Sequence, residues 1–372
     1  MRSTVGMILA STLVASLIAS TSAAFAQSKA AFHHKDLARV TLDKHIRPGY
    51  QQLAQSGSSL TKAVGNYCSK PGASNYNTVN TAFDGFVTAW GRIEHITFGP
   101  ISTDNRIERI LFFPDRRGLA ARQVETALRT RDVSVTEVDS LSRKSVGLQG
   151  LGAFELVMLG KADRSEPAES REHRCRFAHA IAGNLTAISQ AVSNEWLRDD
   201  GFAKQWLEPG TANPTFLKDT ETTFILAKAL TRGIEQVRDD RIVAPLGFGP
   251  QRRKMPAPLQ FSGRTMRLVQ ANIDGLHHLW TAGGMQAAII REHQPRAADS
   301  VPDFAKQVAS ELQTASKLAG GLLTQRKPFD DPKAKRDLIS MGFPLKNARY
   351  LATQLLSEEA GVTLGFNASD GD

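Results

Sequence analysis

The chain has 372 residues, 41% of them hydrophobic and 22% charged, the balance of an ordinary globular protein too long for one small core. Its formal charge of +9 points to anionic lipids, acidic glycans or anionic small molecules, and only weakly to nucleic acid if the chain is exported. There are only two cysteines, far apart in the chain and too few by themselves for a cysteine metal site.

The first 26 residues read as a cleavable secretory signal. Arg2 supplies the positive start, an apolar run extends from Val5 to about Ile18, and Ala24-Phe25-Ala26 precedes the expected cut before Gln27. The run is too short to span a bilayer comfortably. No cysteine stands near the cut, so no lipid anchor is expected. The mature chain should be a soluble periplasmic protein with no later transmembrane segment. Export places Cys68 and Cys175 in a disulfide-permissive compartment, and their pairing is the expected bridge.

Gly57-Ser58-Ser59, Lys70-Pro71-Gly72 and Lys161 to Ser170 read as loops. Between them the apolar residues recur at helical spacing. Val79, Phe83, Phe86, Trp90, Ile93 and Thr97 form one stripe, and Glu94 lies on or beside it. A carboxylate in such a place needs a partner, because burying an isolated charge is costly. His95 falls on the opposite, polar side. Phe98-Gly99-Pro100 ends this helix. Arg106 and Arg109, three apart, share a face of the next turn. Either a structural Glu94–arginine pair or an anion- or metal-linked polar cluster fits these residues.

In Gly147–Gly160, Leu148, Leu151, Glu155, Met158 and Leu159 fall on one face, so Glu155 is a second carboxylate on an apolar stripe. Gly150 and Gly152 stand where helix is expected, at about 1 kcal/mol each relative to alanine, which suggests close approach of another helix or a ligand. Three further stripes follow: Phe177 to Trp196, Phe216 to Val237 and Phe304 to Leu322. Leu207–Pro214 is the best mid-chain boundary. Gly247–Pro258, with Arg252, Arg253 and Lys254, reads as a solvated basic loop. Asp84-Gly85 with Trp90, and Asp274-Gly275 with Trp280, form a faint repeat that suggests two similar halves. The adjacent pairs His33-His34 and His277-His278 point about 100° apart on a helix and read as surface or core residues. Zinc, Walker, dinucleotide and serine-elbow motifs are absent.

The expected fold is therefore all-α: two packed helical bundles, residues 27–206 and 215–372, joined by a linker at 207–214, with a cleft between them as the natural ligand site.

The chain resembles the imelysin family. The resemblance rests on W-x3-E-x3-FGP, NR-x2-RI-x-F-x-PD, GLGAFELVMLG, PLGFGP with the Asn272–Trp280 helix, and the final LGFNASDGD. It implies a bacterial cell-envelope protein of two helical bundles, with iron or another divalent metal as cofactor and envelope iron-uptake components as partners. It also implies a ligand or metal-linked cleft at Glu94, Arg106, Arg109, Gly150, Gly152 and Glu155. The family signature Gly-x-His-x-x-Glu maps its glycine to Gly150 and its glutamate to Glu155, but its histidine to Gly152. Of that motif's metal-binding pair only Glu155 remains. Three functions follow from the resemblance: a binding or accessory protein in iron acquisition, a non-catalytic structural or interaction protein of the envelope, and a metallopeptidase.

Overall fold

The computed structural model describes residues 32–363 except 116, 161–166, 249–253 and 293–299. The expected secretory signal, most of the C-terminal block and Arg252-Arg253 lie outside the described residues. Seven long helices build the fold: α1 (Arg47–Ser69), α2 (Ala73–Ile93), α3 (Ala168–Leu197), α4 (Asp219–Glu235), α5 (Thr265–Trp280), α6 (Val301–Gly320) and α7 (Pro332–Ala360). No strand occurs among the described residues.

Each helix buries one apolar stripe against its neighbours. Phe177, Ile181, Leu185, Ile188, Val192 and Trp196 are all buried along α3. The packing runs α3–α1–α2 in the first half and α5–α6–α7–α4 in the second, and the halves meet where α2 lies against α5. These two helices carry the faint repeat, and its Trp90 and Trp280 are both wholly buried. The irregular stretch Glu208–Lys218 leads from one half into the other. No helix among the described residues is long and apolar enough to cross a membrane.

Two loop expectations are corrected. Gly57-Ser58-Ser59 lies inside α1. A Cβ at Gly57 would stand 3.1 Å from the Cα of Thr186 in α3, so this glycine serves close helix approach rather than a turn. Ala168–Ser170 already belongs to α3. Cys68 and Cys175 do pair, tying the end of α1 to α3 with their Cα atoms 5.7 Å apart.

Candidate functional site

Gly150–Phe154 is a short helix that continues into a wide π-helical turn, Glu155–Leu159. Gly150 has φ +77°, and a Cβ there would lie 2.5 Å from the carbonyl oxygen of Ile110. Gly150 is therefore required by its own backbone and by the close approach of the Arg109–Ile110 main chain. Gly152 is different. A Cβ there would meet nothing within 4 Å, so there is room for a side chain at the position where the family has histidine.

Glu155 is 3% exposed, and its Oε2 accepts a hydrogen bond from the backbone N–H of Ser262, 2.9 Å away. Phe154 stacks on Phe83 of α2 at 5.0 Å, which fixes the turn from the other side. Burial raises the Glu155 carboxyl from 4.5 to about 7, opposed by the hydrogen bonds from Ser262 and the charge of Arg264. An acid with a raised folded-state pKa binds its proton more tightly when folded. The stability this provides is complete below pH 4.5 and is lost as pH rises through about 7, up to about 3 kcal/mol. Denaturant melts at pH 5 and pH 8 should show this loss, and Glu155→Gln should flatten it. An unchanged pH response in the variant would refute the assignment.

The loop that Glu155 grips is held again by Arg264. Its guanidinium donates to Asp84 Oδ1 at 2.9 Å, to Asn80 Oδ1 at 2.6 Å and to the carbonyl of Ser262 at 2.6 Å. The outer side of this loop walls a cavity of about 660 Å³. Lys254, Phe261, Arg326 and Phe329 contribute to its lining, with Asp115 and Asp330 as its acids. Lys254 Nζ lies 3.5 Å from Asp330. Glu155 is not among the lining residues; it stands behind the wall.

The other expected site residues have separate partners. Arg106 and Arg109 do share one turn, Arg106–Ile110. Arg106 clamps Glu195 at 2.8 and 3.2 Å and donates to the carbonyl of Pro100. Arg109 donates to Gln149 Oε1 and Asn184 Oδ1, and this joins it to the residue before Gly150. Glu94 is paired, but with neither of these arginines. Arg241 Nη2 donates to its Oε1 at 2.6 Å and Asn272 Nδ2 to its Oε2 at 2.9 Å, and Arg241 also bonds Asn272. The six residues thus have separate partners: Glu94 sits with Arg241 and Asn272, Arg106 with Glu195, Arg109 with Gln149 beside Gly150, and Glu155, after Gly152 on the same short segment, with Ser262.

His95 is not on a polar face. Helix α2 stops at Ile93, so the wheel does not extend to it, and the ring is 5% exposed and hydrogen-bonded to His45. His45, Asn80, Arg241, Ser262 and Arg264 escaped the sequence reading. Their contacts reach across dozens to hundreds of residues, and no local spacing encodes that.

The imelysin family model, under the heading Peptidase M75, matches residues 46–340. An imelysin-like protein from Psychrobacter arcticum 273-4 superposes with a TM-score of 0.72 at 18% identity, over 90% of this chain and 97% of that one. A protein from Parabacteroides distasonis ATCC 8503, bearing the name iron-regulated protein A precursor, superposes with a TM-score of 0.66 at 11% identity, over 89% and 97%. At these identities the likeness is one of fold. No curated protein matches the sequence.

Proposed function

Because this chain belongs to the imelysin family, we propose that it is a periplasmic binding or accessory protein in metal acquisition, with iron as the metal. The name of the Parabacteroides neighbour supports the link to iron. The residues do not fit a resident metal ion. Gly152 has no donor atom, Glu155 is turned to the Ser262 N–H, and no group of three His, Cys, Asp or Glu suited to a metal occurs among the described residues. A metal-activated water for peptide cleavage usually needs three protein ligands, and no such set supports that reading.

The ligand class is instead an anionic metal chelate, whose own donors fill the coordination sphere of the iron. The observation that carries this reading is the cavity beside the Ser262 loop. Its volume suits a small molecule, Lys254 and Arg326 give it positive charge, and Phe261 and Phe329 give it apolar walls. The motif glutamate then acts as a positioning residue that holds the wall. Calorimetric titration of the untagged protein with ferric citrate should give saturable binding, weakened at least tenfold by Lys254→Glu. Ferrous or zinc ions alone should not compete. Absence of ferric citrate binding, or an unaffected Lys254→Glu variant, would refute the proposal.

A structural or interaction role is the second reading. It is favoured by the way Glu94, Arg106 and Glu155 find partners within the fold. It would leave every titration flat while Glu155→Gln still changed stability.

A further inference from the structure

Three histidines from distant parts of the chain meet in a line. His45 Nε2 lies 2.8 Å from His95 Nε2, and His45 Nδ1 lies 2.9 Å from His278 Nδ1. His45 and His95 are 4% and 5% exposed, whereas His278 reaches the surface. Tyr50 fixes the turn beside His95 by donating to the carbonyl of Ile96 at 3.0 Å. Burial, reinforced by the neighbouring imidazoles, holds His45 well below its usual 6.5 and His95 down to about 3. All three rings are therefore neutral near pH 7, since burial also lowers His278.

A neutral imidazole has one donor and one acceptor nitrogen. The line can thus be polarised in only two ways, and they differ at its inner end. In one, His95 Nδ1 carries a proton; in the other it presents a lone pair. In both, this nitrogen is buried with no protein partner. An unsatisfied buried polar atom is destabilising, so this nitrogen is retained at a cost.

His95 also lines a cavity of about 450 Å³, together with Thr97, Phe98, Lys228, Arg232 and Gln236. Lys228 is exposed, its Nζ 5.6 Å from the Phe224 ring, and Arg232 lies 3.1 Å from Glu235. Asp240 is the acid of the lining. The cavity is distinct from the one at Lys254. Ser262 stands three residues before the first residue of α5, and His278 near its last, so about 20 Å of helix lies between them.

We propose that this second cavity binds a small oxyanion, a carboxylate or phosphate, that is drawn in by Lys228 and Arg232 and accepts a hydrogen bond from His95 Nδ1 once a small tilt of that ring opens the buried nitrogen to the cavity. Cations at the rim select an acceptor over a donor. An acceptor on His95 selects one polarity of the line: His95 Nδ1–H to the ligand, His45 Nε2–H to His95, and His278 Nδ1–H to His45. The remaining His278 nitrogen then faces outward as an acceptor for water. Ligand binding at the inner end is in this way read out as a tautomer at the surface.

The test is calorimetric titration of the full chain with inorganic phosphate and with succinate, paired with nitrogen-15 spectra of the histidine rings. At least one probe should bind saturably, Lys228→Glu should weaken it at least tenfold, and His95 Nδ1 should resonate as a protonated nitrogen in the complex. Lys228 is exposed, so its variant keeps the fold; His95→Gln serves as a second probe if it folds. Failure of both probes to bind overturns the proposal. So does an unchanged affinity in Lys228→Glu, or a loss of binding caused by Lys254→Glu instead. Failure of ferric citrate at the Lys254 cavity leaves this result untouched.

Discussion

Replacing Arg241 with methionine is expected to lower the free energy of unfolding by about 3–5 kcal/mol, and Glu94→Ala by a similar amount. Arg241 is 0% exposed and Glu94 6%, so either change strands its partner away from water. The pair sits where three elements meet: the end of α2, the π-helical stretch Gln236–Val243 and helix α5, which supplies Asn272. Asn272 also donates to the carbonyl of Gly91, so it closes the group against the backbone of α2. Removing both charges together should cost less than the sum of the single changes, because an apolar pair leaves no uncompensated ion. A denaturant double-mutant cycle on Glu94→Leu and Arg241→Met tests this; strict additivity would contradict it.

The Cys68–Cys175 bridge gives the second large effect. It closes a loop of 107 residues, for which chain entropy in the unfolded state assigns about 4–5 kcal/mol. The double variant Cys68→Ser, Cys175→Ser should still fold, since α1 and α3 remain packed along their length. Its Tm should drop by on the order of 5–10 °C. A reductant should reproduce the drop in the parent protein and do nothing to the variant. Equal melting of the two proteins would show that the bridge contributes nothing.

Fold class was legible because it is written in local spacing. The stripe from Phe177 to Trp196 needs only a helical period, and every one of its six residues is buried. Glycines were harder to read. Gly57 looked like a turn and proved to be a contact with α3, because sequence shows a missing side chain but not what fills its place. The need of Glu94 for a partner was legible from its position on an apolar face, but the partner was not. Arg241 lies in Val237-Arg238-Asp239-Asp240-Arg241, a run that reads as a solvated surface, and only the wide turn there carries its side chain inward. Glu155 was legible as a special carboxylate, whereas Ser262, 107 residues away, was not. The histidine line was invisible for the same reason, with His45, His95 and His278 on three separate elements.

At Gly150–Glu155, then, a motif glutamate grips a loop, and the loop walls a cavity with positive and aromatic linings. On the proposed function this cavity, rather than Glu155 itself, receives iron as a chelate. Anomalous diffraction at the iron edge, from crystals grown with ferric citrate, tests it most directly. An iron peak is expected within the cavity between Lys254 and Arg326, with Glu155 still bonded to the Ser262 N–H. A peak at coordination distance from Glu155, or none in that cavity, would contradict it.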